Sequence, residues 1–466
     1  MSDGQDNFDT GAISEIDKRH TLHPWADLAT AADQGDLVMT KGEGYHVYDS
    51  ENNRYIDGIA GMWCVNIGYA NEEMADAIAE QIKQLVYYTP FGAMTNPLSA
   101  ELAKVLADLT PGDLNRVHLT TGGSSAVDSA IRFVHFYFNA MGQPEKKHVI
   151  SRTESYHGSS FLSASLSGKA VDRTYFHYMS DFIHHVEGPN PYRRDKALSV
   201  EQYLQHLVDE FEDKIKEIGP EKVACFIAEP IMGSGGVLVP PAGYHKAMKQ
   251  VCEKYDILYI LDEVVTGFGR LGHFFSAEPV WDIVPDIITC AKGISSGYQP
   301  LGATIISDRL FDRVSGSNAP DAAYFTNGYT YSGHPVACAA ALKNIEILKR
   351  DKVCEHVQDI GPYFMEQLKK LEKYDIIGEV RGHHLMACIE CNISHNMTAA
   401  EDKDMHAALV VDKFCEQFGL IVRPYEALLI LSPPLIIDKT GVDEMIAILA
   451  KSIEHATTEL QKEGLI

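Results

Sequence analysis

Positive charge is scarce in this sequence: 40 lysines and arginines stand against 65 aspartates and glutamates, a formal net charge of −25. That balance argues against a nucleic-acid interface built on a basic face, and it favours solubility without naming a partner. Long hydrophobic runs are missing as well. No stretch of about 18 apolar residues occurs, which argues against a membrane span. The N-terminus lacks the basic region and apolar core of a secretion signal. The nine cysteines are odd in number, scattered without framework spacing and mostly set in apolar runs, as in the reduced thiols of a cytoplasmic protein. One CxxC, Cys388 to Cys391, has no second pair and no nearby histidine to complete a zinc site, so no metal is expected. Internal repeats and low-complexity segments are absent. Only the first dozen residues, MSDGQDNFDTGA, read as lacking order.

The chain has 466 residues, 45% of them hydrophobic and 23% charged, which is ordinary for a globular protein and too long for one small core. From about residue 115, short apolar strands alternate with helical segments. RVHLTT precedes SSAVDSAIRFVHFYFNAMG, KVACFIAEP precedes AGYHKAMKQVCEKY, and ILYILDEVV, DIITCAK and GATIIS follow. This order predicts an α/β fold, a mostly parallel sheet with helices on both faces. A long helix, SGHPVACAAALKNIEILKR, has Ser332 as its expected N-cap. Beyond about residue 350 the pattern changes to that of a smaller α+β domain. The expected divisions are 1–70, joining the small domain; 71–335, the large domain; and 336–466, a linking helix and the rest of the small domain.

Ligands of open α/β sheets collect at the carboxyl ends of strands. Five such ends here carry chemistry. After RVHLT comes Thr121-Gly122-Gly123-Ser124-Ser125, a turn opening a helix, which suits a phosphate. It lacks the GK[ST] of a nucleotide-binding P-loop, and Ser124 capping an ordinary helix is the plain alternative. KKHVIS leads to Tyr156, His157 and Gly158; Tyr156 either stacks on a flat ring or simply packs. KVACFIA leads to Glu229. ILYIL ends in Asp262, a carboxylate in an apolar strand that needs a cationic partner, either a pyridinium nitrogen or Arg270. DIITCA ends in Lys292, which either snorkels to solvent or serves as a low-pKa amine able to form a Schiff base. A rival motif, GFGRLG at 267–272, matches a dinucleotide fingerprint and would indicate a nicotinamide dehydrogenase. No helical pattern follows it, however, and two acids precede it.

These segments resemble class III pyridoxal-phosphate-dependent aminotransferases, and most of all their ω-aminotransferase branch. TTGGSSAVDSAIRFV, YHGSS, FIAEPIMGSGGVLVPPAGY, LDEVVTGFGRLG, PDIITCAKGISSGYQPLGA, NGYTYSGHPVACAAAL and GLIVRP carry the resemblance, over about residues 20–460. It implies fold type I, pyridoxal 5′-phosphate as cofactor, and a homodimer with shared active sites or a higher oligomer built from it. Carried over by position, Lys292 forms the internal aldimine and acts as proton-transfer base. Asp262 pairs with the pyridine nitrogen; Tyr156 and Val264 flank the ring; Gly123 and Ser124 bind the phosphate; Thr330, with Tyr329 beside it, reaches the partner subunit's phosphate; and Glu229 supports the cofactor's hydroxyl side. Arg423 matches a mobile arginine that takes a substrate carboxylate. Trp63, Phe91 and Ser234 match pocket-lining positions, with core packing the alternative for Trp63. The implied reaction is ping-pong transfer of an amino group from a primary amine or ω-amino acid to pyruvate or a similar keto acceptor. Diamine, γ-aminobutyrate, β-alanine or taurine aminotransfer, and amine migration within one molecule, are the alternatives. The sequence departs from the family at Gly122 and Ser125, where serine and glutamate are usual, at Asn53 in place of glycine, and at Tyr69 in place of histidine.

Overall fold

A computed structural model describes residues 8–29, 37–321 and 323–466. Residues 1–7, within the stretch read as lacking order, lie outside the described residues. From Thr10 that reading is corrected: Thr10–His20 is a helix, with the Asp9 carboxylate accepting from the Ala12 N–H.

Three sheets organise the chain. The first strands are β1 (Met39–Glu43), β2 (His46–Asp49) and β3 (Arg54–Asp57). The central sheet follows with β4 (Leu114–Thr120), β5 (His148–Arg152), β6 (Ile183–Val186), β7 (Val223–Ala228), β8 (Leu258–Asp262), β9 (Ile287–Cys290) and β10 (Gly302–Ser307). The C-terminal part adds β11 (Ile377–His383), β12 (Met386–Cys391), β13 (Leu420–Ile421), β14 (Arg423–Tyr425) and β15 (Leu428–Leu431). The central order is β4-β10-β9-β8-β7-β5-β6, with β5 to β9 mutually parallel and β10 antiparallel to both neighbours. Every residue of β7, β8 and β9 is buried, which explains their unbroken apolar runs: helices cover both faces. One of those helices, Gly123–Ala140, buries Val127, Ile131 and Val134 against the sheet.

The segment GLIVRP divides between two sheets. Leu420 and Ile421 pair in parallel with β3, whereas Arg423 to Tyr425 pair antiparallel with β15. Six residues thus tie the sheet β1-β2-β3-β13 to the sheet β11-β12-β15-β14, and Arg423 sits at the crossover. Two caps differ from expectation. The long helix begins at Pro335, because proline favours the first helical turn, and His334 is its cap in place of Ser332. Gly122, not Ser124, precedes the helix Gly123–Ala140. Both outlying departures from the family find local acids: Asn53 donates to Asp49 at 2.8 Å, and the Tyr69 hydroxyl donates to Asp57 at 2.6 Å.

Candidate active site

The carboxyl ends of β4, β5, β7, β8 and β9 open onto one cavity of about 400 Å³. Ten of the thirteen predicted site residues line it: Trp63, Gly123, Ser124, Tyr156 and Glu229 on one side of the chain order, then Ser234, Asp262, Val264, Lys292 and Arg423. Phe91, Tyr329 and Thr330 do not. Phe91 is exposed, beside Gly328 in a second cavity of about 630 Å³. Tyr329 donates its hydroxyl to the Ser125 carbonyl at 3.2 Å, behind the turn, and the Thr330 carbonyl accepts from the Tyr87 hydroxyl.

Lys292 follows β9 after the extended Ala291 and takes a left-handed backbone (φ 46°), an unfavourable choice for a side chain with a Cβ. Its successor must be glycine, since a Cβ on Gly293 would come within 2.5 Å of Asn66 Nδ2. Burial lowers the pKa of the Lys292 amine, against the opposing pull of the Cys64, Asp262 and Glu229 side chains. The amine therefore reaches its neutral, nucleophilic form more readily than a surface lysine.

Asp262, 4% exposed, has a different partner from the Arg270 considered above. Its Oδ2 accepts from His157 Nδ1 at 2.7 Å, and its Oδ1 accepts from Thr289 Oγ1 at 3.1 Å and the Val264 N–H at 3.2 Å. Arg270 instead donates to the carbonyls of Leu385 and Pro433 and to Asn66. The neighbouring acid Glu263 is fully satisfied by Thr266, Ser276 and Ala277, which makes it the structural carboxyl of the pair. Glu229 accepts from the N–H groups of Tyr156 (3.1 Å) and Gly233 (2.9 Å), and burial raises its pKa. His157 is a site residue that sequence reasoning saw beside Tyr156 without giving it a task. Trp25 and Lys169, also on the cavity wall, come from stretches with no readable period.

At the other end of the cavity, the N–H groups of Gly123 and Ser124 have no hydrogen-bond partner among the described residues. Ser124 Oγ accepts from the Ser159 N–H at 3.0 Å. Ser125 closes the turn from within, donating to the Gly122 carbonyl at 2.9 Å and accepting from the Thr121 N–H at 3.2 Å, so the glutamate usual there is not needed to shape it. The turn is packed to its limit. A Cβ on Gly123 would stand 3.0 Å from Val264, and one on Gly158 would stand 2.5 Å from Ser124 Oγ. Trp63 is both cavity wall and core, packed with Ile231 and Ile430. The Arg423 guanidinium makes no hydrogen bond or ion pair among the described residues.

This donor set fits pyridoxal phosphate: free N–H groups at a helix start for a phosphate, a hydrogen-bonded buried carboxylate for a cationic ring nitrogen, and a buried amine for an aldehyde. GFGRLG, in contrast, folds as a turn whose Gly269 N–H donates to His273, and no helix follows it, which removes the dinucleotide reading.

The family model for class III aminotransferases matches residues 28–453. The chain is 37% identical to a putrescine–pyruvate aminotransferase of Pseudomonas aeruginosa, over 96% of this chain and 97% of that protein. It is 37% identical to γ-aminobutyrate transaminase 3 of Solanum lycopersicum, over 95% of this chain and 85% of that one. Among solved structures, the ω-transaminase of Pseudomonas jessenii in complex with PMP superposes with a TM-score of 0.93 at 33% identity, covering 96% of this chain and 99% of that one. Matched over nearly its whole length, the chain is a fold type I enzyme that uses pyridoxal phosphate, and it belongs to the class III aminotransferases.

Proposed function

We propose that the enzyme moves an amino group from a primary amine or ω-amino acid to pyruvate, giving alanine, in two half-reactions that share the one cavity. The observation that carries this reading is Arg423: a guanidinium without a partner among the described residues, on the wall of the cavity that holds Lys292 and is also lined by the aromatic side chain of Trp63. An unpaired arginine suits the carboxylate of a keto acid, held by two parallel hydrogen bonds, and an aromatic wall suits the apolar body of an amine. The P. aeruginosa relative, named for putrescine and pyruvate, supports both halves.

In the assignment we propose, Gly123 and Ser124 hold the cofactor phosphate, Asp262 keeps a proton on the ring nitrogen, Tyr156 and Val264 flank the ring, and Glu229 supports its hydroxyl side. The bound cofactor supplies an electrophilic carbonyl carbon and a ring that withdraws electrons from the donor's amine-bearing carbon. The chain supplies the proton traffic. Lys292 Nζ, which burial brings to its neutral form more readily than a surface amine, takes the proton from that carbon and delivers it elsewhere on the same face. His157 fixes the orientation of Asp262, and Arg423 orients the acceptor.

We further read 71–335 as the cofactor-holding unit, with 1–70 and 336–466 beside it, and the active form as a homodimer. Tyr88, Phe91, Met94, Tyr324 and Tyr331 are exposed aromatic or large apolar side chains near the second cavity, an area that a second copy would cover. Phe91, Tyr329 and Thr330 then serve the neighbouring subunit's site. All nine cysteines are unpaired and eight are buried, which supports a reducing, cytoplasmic setting. No helix among the described residues is long and apolar enough to cross a membrane.

A donor panel tests the reading: benzylic amines, diamines and ω-amino acids, each with pyruvate, assayed for alanine. Alanine from at least one donor class is expected, together with a Schiff-base absorbance band that Lys292→Ala abolishes. A cofactor-loaded enzyme that makes no alanine from any donor would overturn it.

A further inference from the structure

The reaction as read above leaves one cation of the cavity without a task. Lys169 lines the wall and is 3% exposed. Gly168 presses this stretch against the end of β5, since a Cβ there would lie 2.1 Å from the Arg152 carbonyl. The Lys169 ammonium stands over the Tyr425 ring, 3.5 Å from its centroid, and 6.0 Å from that of Trp25. Among the described residues it forms no hydrogen bond and no ion pair with a carboxylate; its contacts are with those two rings. An ammonium has three donors, and leaving them unmet in a buried place is costly.

Burial lowers the Lys169 pKa, and Asp172, Glu426, Glu154 and Glu229 pull it back up. Asp172, Glu426 and Glu154 do not line the cavity. These acids favour the charged form, and the ring of Tyr425 steadies the ammonium without using its N–H groups. Two further cavity residues, Ser234 and Tyr425, have buried hydroxyls with no partner among the described residues. The wall therefore presents an ammonium with no hydrogen-bond partner among the described residues, and the cavity adds two hydroxyls that are free to donate.

We propose that Lys169 is a specificity-determining residue, which receives a carboxylate at the far end of the amine donor and turns away donors that carry a second ammonium there. This rests on reading the cavity as an amine-donor site. An ω-amino acid and a diamine of equal length differ little in shape, so the sign of the end charge decides between them. A fixed cation in a water-poor wall attracts one and repels the other.

The test compares γ-aminobutyrate, putrescine and benzylamine as donors to the holoenzyme, without pyruvate, following the loss of cofactor absorbance. The native enzyme should prefer γ-aminobutyrate to putrescine. Lys169→Met and Lys169→Gln should each narrow that preference by about 10- to 100-fold, the worth of a charged hydrogen bond, with benzylamine changed less than about twofold. Lys169→Arg should keep the preference. Butyrate, measured by calorimetry on the same holoenzymes, should bind about tenfold or more weakly to the Met and Gln variants. An unchanged preference and unchanged butyrate affinity in a folded variant would overturn the proposal, as would an equal loss for all three donors. If no donor discharges the native holoenzyme, the amine-donor reading fails instead, and the butyrate titration still decides whether Lys169 receives a carboxylate.

Discussion

Asp262 and His157 meet 2.7 Å apart with almost no solvent around either, and the partner explains why a carboxylate can end an apolar strand. A buried acid held by one ring nitrogen, one hydroxyl and one N–H has a fixed direction, and a fixed direction is what a ring nitrogen requires of it. His157 acts through Asp262 and is a positioning residue. His157→Phe should lower kcat by about 10- to 100-fold and shift the pH–rate profile, with cofactor still bound. A thermal-melt loss with an unmoved pH profile would make the histidine merely structural. Around Lys292 the local demands run the other way. The backbone is held in the left-handed region and the side chain is kept short of water, so the residue is stabilised by its surroundings and not by its own preferences.

The crossover at Leu420–Tyr425 carries Arg423, to which we assign the carboxylate of the keto acid. The Gly58 N–H donates to the Ile421 carbonyl at 2.9 Å, and a Cβ on Gly58 would stand 2.5 Å from that oxygen. Gly58→Ala should therefore push β13 off β3, lower Tm, and raise KM for the keto acid through Arg423 while leaving benzylamine's KM nearly unchanged. Steady-state kinetics with both substrates would show equal changes if Arg423 were not involved. The helix Asp402–Gln417 carries another liability. Burial, with Glu416 nearby, lifts the Asp412 pKa to about 7. A carboxyl that holds its proton longer when folded loses stability as pH climbs from about 4 to about 7. Asp412→Asn should thus raise Tm by about 1–3 °C at pH 8 and leave it unchanged at pH 4; equal gains at both pH values would exclude an ionisation effect. Sequence made the central strands legible because their apolar runs are long and their ends chemically distinct. Lys292, Asp262 and Glu229 could be read on that basis. β6, the split of GLIVRP and the wall residues Trp25 and Lys169 were not legible, because they lie in irregular segments whose course is set by packing against distant parts of the chain. The caps at Ser332 and Ser124 misled for a related reason: proline and glycine fix the backbone more firmly than a serine hydroxyl does.

For the molecule as a whole, three predicted site residues stand outside the cavity of their own chain, and exposed aromatic side chains surround one of them. Tyr88→Lys combined with Phe91→Asp should convert a sedimenting dimer to monomer and abolish aminotransfer, as checked by analytical ultracentrifugation and alanine assay. Full activity in a proven monomer would separate Phe91, Tyr329 and Thr330 from the site. One further consequence belongs to the order in which the chain is made. β4 pairs with β10 alone, Leu119 lying opposite Ala303, and β4 is followed directly by the Gly122–Ser125 turn. On the ribosome that turn has no sheet to anchor it until the strand Gly302–Ser307 has emerged. Lys292 is synthesised before β10 as well, so a nascent chain can carry the amine while the Gly122–Ser125 turn is still unanchored. On the proposed assignment of Gly123 and Ser124 to the phosphate, capture of the cofactor would come late in synthesis, and chains that stop short of β10 would be left with apolar strands open at an edge, as substrates for chaperones and proteases.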